Sequence, residues 1–175
     1  MTDVMVDIET LSTSPNACIL TIGAVKFCRK GPVQSLLESK TFYRRIDVQS
    51  CIKLGLDVSK ETQDWWSTQS KAAQYEAFEH KERVQLKEAL VDFARWFRGA
   101  RHIWSHGDDF DCVILSSAYE ACGLDVPWKF WSTRDTRTLF DLANINIRDF
   151  PIKEEHHALY DAYRQVLGVR KGLVK

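Results

Sequence analysis

The alternation of polar and apolar positions near the start of the chain sets the pattern for the rest. Asp3-Val4-Met5-Val6-Asp7-Ile8-Glu9 predicts a first strand over residues 3–8, continuing toward Glu9 and Thr10. Side chains alternate faces along a strand, so Asp7 and Glu9 share one side and Val6 and Ile8 the other. Residues 11–16, with Ser12, Ser14, Pro15 and Asn16, read as a turn, and the apolar run 17–27 predicts a second, antiparallel strand. A third strand over residues 40–46 completes a meander in which the first strand is central. Ser59 reads as the N-cap of a helix carrying Trp65 and Trp66, with short helical pieces continuing to about residue 80. Val84, Leu86, Leu90, Val91, Phe93, Ala94 and Phe97 give residues 83–97 the periodicity of an amphipathic helix, closed by Gly99. A short strand over 103–106 is broken by Gly107, and a helix over 109–121 ends at Gly123. Residues 127–131 read as extended, 135–143 as a helix, 144–155 as a loop and 156–169 as the last helix. Strands first, then helices alternating with short strands, predict an α/β fold with a mixed β-sheet flanked by α-helices. With neither repeat nor linker, residues 1–175 read as a single domain.

Composition changes this picture little. The chain has 175 residues, 45% hydrophobic and 27% charged, which is ordinary for a soluble globular domain with a sizeable core. No apolar run approaches the ~20 residues of a membrane span, and Met1-Thr2-Asp3 lacks the basic start of a signal peptide. The expected location is therefore cytoplasmic, with no membrane partner. The five cysteines are odd in number and contain no C-x-x-C pair, so they read as reduced, buried thiols. A formal net charge of zero argues against coating nucleic acid by bulk charge. It leaves room for an enzyme that grips a few phosphates locally.

Three places carry candidate chemistry. The first is the Asp7/Glu9 pair, which reads either as an edge strand with a wet face or as two carboxylates sharing a cation. The second is the stretch from His106 to Leu115, where Asp108 and Asp109 suit helix capping. Phe110, Ile114 and Leu115 there define a buried flank that places Asp111 near the sheet. The third is His156 and Asp161, close enough on one helix to line the same end of it. Four carboxylates and a histidine suit two divalent cations, Mg2+ or Mn2+, acting on a phosphate, with the histidine as general base. A zinc site from His156, His157 and Asp161 fits less well, because adjacent helical residues point about 100° apart.

In these residues the chain resembles the DEDDh 3′–5′ exonucleases. Val6-Asp7-Ile8-Glu9-Thr10, Phe110-Asp111 with Leu115, and His156-x-Ala158-x-x-Asp161 match the family's three motifs in order and spacing, over nearly the whole chain. Trp104-Ser105-His106-Gly107-x-x-Phe110-Asp111 and the Trp65-Trp66 region are most similar to the branch of the tailed-phage exodeoxyribonuclease A and the mycobacterial 3′–5′ exoribonuclease. The resemblance implies a ribonuclease H-like fold, a phage or prophage origin, and release of nucleoside 5′-monophosphates from single-stranded 3′ ends of DNA or RNA. By position, Asp7 bridges two metal ions, Glu9 and Asp161 bind one, Asp111 holds the second, and His156 takes the proton from the attacking water. Ile8, Thr10 and Leu11 fall where the family holds the terminal 3′-OH and wedges the last base. His106 stands where many relatives carry asparagine.

Trp65 or Trp66 is a stacking candidate, and Trp66 joins His106 among the expected substrate contacts. Arg44, Arg45, Arg134 and Arg137 are candidate phosphate contacts or plain surface charges, and Arg164 reaches the site or pairs with an acid. Trp128 and Trp131 are either buried or part of a homodimer interface. The competing functional readings are a catalytically silent nucleic-acid-binding domain and a structural partner in a phage replication or recombination complex.

Overall fold

The computed structural model describes residues 2–174. In chain order the elements are β1 (Thr2–Thr10), β2 (Ile19–Cys28), β3 (Thr41–Arg45), α1 (Val48–Ile52), α2 (Lys60–Ser67), α3 (Lys71–Gln74) with a π turn (Tyr75–Glu79), α4 (Leu86–Phe97), β4 (Ala100–Ser105), α5 (Asp111–Ala121), β5 (Thr133–Asp135), α6 (Thr136–Leu142) and α7 (Ala158–Gly172). The strands form one sheet in the order β3-β2-β1-β4-β5. β1 pairs antiparallel with β2 and parallel with β4, so the sheet is mixed and β1 is central, as the pattern predicts.

The alternation in β1 divides the molecule into two layers. Val4, Val6 and Ile8 enter a core built with Leu86, Leu90 and Phe93 of α4 and Ile114, Leu115 and Tyr119 of α5. On the other face Met5 packs with Trp104, Phe140 of α6 and Ala162, Val166 and Val169 of α7. Asp7 and Glu9 lie on this second face, under α7. β2 is buried on both sides, which its near-continuous apolar run requires.

Several boundaries differ from the sequence reading, each for a local reason. α4 begins at Leu86 because Val84 is tied to Ile46 by an isolated bridge, which keeps Arg83 and Val84 extended. α5 begins at Asp111; Asp108 and Asp109 belong to the turn before it. α7 starts at Ala158, with His157 as its N-cap, so His156 precedes the helix. The extended piece expected over 127–131 is displaced: Phe130–Ser132 is a short 3₁₀ turn, and the strand is Thr133–Asp135. α1 was not expected from the sequence; Asp47 caps it by accepting from the Gln49 amide at 3.1 Å. Trp128 is buried, whereas Trp131 is 64% exposed. The five cysteines are free thiols, all buried except Cys28. Among the described residues, no helix is long and apolar enough to cross a membrane.

Candidate active site

The site grows from the C-terminal half of β1. Pairing with β4 runs only through Met5 opposite Trp104, which leaves the β1 backbone beyond it open on that side. Asp111, the first residue of α5, fills the gap: its Oδ1 accepts the Ile8 amide at 3.0 Å. One carboxylate is thereby fixed against the strand between the two that the strand itself presents.

α7 supplies the fourth acid. Its start lies directly on β2 at Gly23, the cross-strand partner of Asp7. A Cβ at position 23 would stand 2.2 Å from the Leu159 backbone nitrogen, so only glycine permits this approach. Asp161 sits in the first turn of α7, where the helix dipole favours a carboxylate. Oxygens of Asp7, Glu9 and Asp161 all lie within 4.8 Å of one another. Asp111 stands beside this triangle without joining it. One turn after Asp161, Gln165 donates from Nε2 to Asp7 Oδ1 at 2.7 Å.

The electrostatics follow from crowding acids where water is scarce. Burial, then the charges of Asp111, Glu9 and Asp161, raises the Asp7 carboxyl well above its usual range. Burial and the charges of Asp161 and Asp111 do the same for Glu9. Burial pushes Asp111 up to about 7, against the pull of the Ile8 amide. Burial also raises Asp161, while His156 and Arg164 draw it back. Arg164 Nη1 lies 4.0 Å from Asp161 and 3.4 Å from Glu155, so it both reaches the site and pairs with an outer acid. Such a set of oxygen donors is costly as bare anions and fits a divalent cation.

His156 stands at the rim. Its φ of 59° is left-handed, a conformation that costs a non-glycine residue about 1 kcal/mol or more. Its ring meets the Trp65 ring edge to face at 4.8 Å. His157 turns away, stacked between Tyr43 and Tyr160. That arrangement separates the two histidines: one borders the site and the other anchors the helix.

The expected substrate contacts divide. Trp66 is 2% exposed, and its Nε1 donates to the Thr10 carbonyl at 2.9 Å, so no face of it is free to stack. Trp65 is the exposed member of the pair, at 43%. Leu11 is buried in the core. Thr10 is buried with its hydroxyl on the Ser12 carbonyl. Ile8 points into the core with its amide occupied by Asp111, and it also lines the cavity beside Glu9. Beside Glu9 a cavity of about 350 Å³ is lined by Thr10, Thr62, Trp65, Trp66 and Phe110. His106 places its Nδ1 2.8 Å from the Thr136 hydroxyl, toward α6. Arg44 and Arg45 are held by Asp92 and Glu76. Sequence reasoning missed Gln165, though its spacing of four from Asp161 puts it on the same helical face, and Gly23, an isolated glycine inside an apolar strand.

A five-stranded mixed sheet with helices on both faces is a ribonuclease H-like fold, and here it carries four acids around the end of its central strand. More narrowly, the chain belongs to the 3′-5′ exoribonuclease Rv2179c-like domain family, which it matches over residues 2–172. Among solved structures it is similar to S. pombe Pop2p in its Mg2+- and Mn2+-bound form, with a TM-score of 0.56 and 11% identity, covering 98% of this chain and 81% of that one. It is likewise similar to cell-death related nuclease 4 (CRN-4), with a TM-score of 0.55 and 11% identity, covering 97% of this chain and 62% of that one. No curated protein matches the chain.

Proposed function

We propose that the protein is a metal-dependent 3′–5′ exonuclease of the DEDDh type that shortens single-stranded nucleic acid to nucleoside 5′-monophosphates. The observation that carries this reading is the convergence of Asp7, Glu9 and Asp161 within 4.8 Å, with Asp111 fixed to the intervening amide. Asp7, Glu9 and Asp161 would hold one Mg2+ or Mn2+ ion, and Asp111 together with Asp7 would hold a second. Bound there, the ions supply charge to stabilise the entering and leaving oxygens at phosphorus. His156, at the rim and outside the helix, takes the proton of the attacking water. Gln165 holds Asp7, and Trp66 holds the Thr10 carbonyl, so the floor of the site is set before substrate arrives. The family description makes RNA the first substrate to test.

The experiment uses matched 5′-labelled RNA and DNA single strands. A ladder shortening from the 3′ end with Mg2+ or Mn2+, absent in EDTA and in Asp7→Ala, is the expected result. Cleavage of neither strand would overturn the reading in favour of a silent binding domain.

A further inference from the structure

We propose that a groove at the opposite end of the sheet binds the upstream stretch of the same single strand whose 3′ end enters the carboxylate site. This rests on the nuclease reading above. The groove encloses about 640 Å³ at the start of β1 and β4, and Arg29, Lys30, Arg101, Arg134 and His102 line it around Asp3. Four permanent cations thus surround one carboxylate. Asp3 is only 2% exposed and already engaged by Trp104, Arg29 and His102. Burial pushes the Asp3 carboxyl up, but those three hydrogen bonds outweigh it and hold the group ionised and inward. Asp3 therefore offsets Arg29, and Lys30 and Arg134 add positive charge to the groove lining. In a chain with 24 basic and 24 acidic residues, this makes one end of the sheet basic while the carboxylate site makes the other acidic.

Two of the cations are preset. The Arg29 guanidinium is fixed by Asp3 and lies 5.1 Å from the centre of the Trp104 ring. Arg134 donates to the Trp131 and Thr133 carbonyls. Little side-chain freedom remains to be lost when a phosphate arrives. Next to Arg134, Phe130 and Trp131 are 84% and 64% exposed. Their rings meet edge to face at 4.8 Å. Aromatic faces beside fixed cations are what a single strand needs, one for its bases and the other for its phosphates.

From the groove, the edge strand β5 leads toward the site. Arg134 precedes Asp135, whose Oδ1 accepts the Gly107 amide at 3.0 Å, beside the turn that leads into Asp111. Arg137, in the first turn of α6, brings its guanidinium against Gly107, where a Cβ would stand 3.1 Å from it. Arg134 on β5 and Arg137 at the start of α6 thus set two cations along this edge of the sheet. Asp3 and Asp7 are four residues apart on β1, about 13 Å of extended strand, and Met5 between them is buried under α6 and α7, so a single strand reaching both ends must pass around the β5 edge. Only substrates several nucleotides long reach both ends.

The test compares wild type with the double variant Lys30→Glu/Arg134→Glu and, separately, Trp131→Ala. Binding of 5′-labelled single strands of about 3 and about 12 nucleotides is read by fluorescence anisotropy in EDTA, across a salt series. Hydrolysis of the same strands and of a nucleoside 5′-p-nitrophenyl phosphate is read in Mn2+. The double variant is expected to bind the longer strand about tenfold or more weakly, with a shallower salt dependence, and to show a raised KM on it. Its kcat on the short strand and the chromogenic ester should match wild type. Equal losses on short and long substrates, or no loss on either, overturn the proposal. So does a poly-glutamate peptide that displaces the long strand at equal charge concentration, since the groove would then suit an acidic protein. If wild type hydrolyses nothing, the nuclease reading fails, and the anisotropy in EDTA still decides the groove on its own.

Discussion

Gln165 Nε2 lies 2.7 Å from Asp7 Oδ1, while its Oε1 is buried with no hydrogen-bond partner among the described residues. The amide is therefore committed to holding the carboxylate that two elements share, at the expense of its own oxygen. Gln165→Leu keeps the volume and removes the hold. Outer-shell partners of this kind are worth about 10–100-fold in metal affinity. Mn2+ titration by calorimetry should show a loss in that range, with a stability loss of about 1–2 kcal/mol, the scale of the single hydrogen bond removed. An unchanged Mn2+ affinity would show that Asp7 needs no such support.

The acids predict how stability responds to pH and metal together. In the unfolded chain these carboxyls titrate near 4. In the folded protein without metal, Asp7 and Glu9 are raised well above that, and Asp111 is pushed up to about 7. Between those values the folded state holds more protons, so its stability falls as pH rises through the window. Divalent ions replace the protons. In melting curves at about pH 5 and about pH 8, the gain in Tm on exchanging EDTA for Mn2+ should be larger at the higher pH. A gain that is flat, or larger at low pH, counts against a shared cation site.

The two tryptophans should separate cleanly. Trp66→Ala empties a buried position and strands the Thr10 carbonyl, at a cost of about 3–5 kcal/mol. Trp65→Ala removes an exposed ring from the cavity beside Glu9 and from the edge of His156. It should leave stability within about 1 kcal/mol and raise KM on single strands. Chemical denaturation and steady-state kinetics on both variants check this, and a Trp65→Ala protein with wild-type KM would exclude the exposed ring from substrate binding.

His156→Ala is expected to lose most activity while keeping Mn2+ affinity, because it removes the base and none of the ligands. His157→Ala should instead loosen the start of α7, showing as lower thermal stability with a smaller activity loss. Were His157→Ala the inactive but fully stable variant, the roles of the two histidines would be reversed.

What was legible in the sequence was whatever repeats with a period. Alternation in β1 placed Asp7 and Glu9 on one face, and the buried flank of α5 placed Asp111 against the sheet. Asp161 followed from the same logic on α7. The start of α7 was not legible, because nothing in His156-His157 forbids helix, yet His156 takes a left-handed φ of 59° just before it. β5 has three residues, too few for alternation to show. Which of two adjacent tryptophans is buried depends on a bond from Trp66 to Thr10, 56 positions away, and no local pattern carries that. Gly23 was visible as a residue but not as a contact, since its meaning lies in the backbone of Leu159.

The pairing of Asp7 with Gly23 ties catalysis to the correctness of folding. Slip β1 by one residue against β2 and Asp7 would turn to the opposite face, while Ile22 or Ala24 would take the place of Gly23 beside it. Asp161 would stay with α7 over Gly23, while Asp7 and Glu9 would leave the face that the helix covers. A misregistered chain could keep much of its apolar burial and still have nowhere to hold an ion. Nuclease activity is thus an internal read-out of strand register, so a wrongly paired molecule would be inert toward nucleic acid rather than indiscriminate.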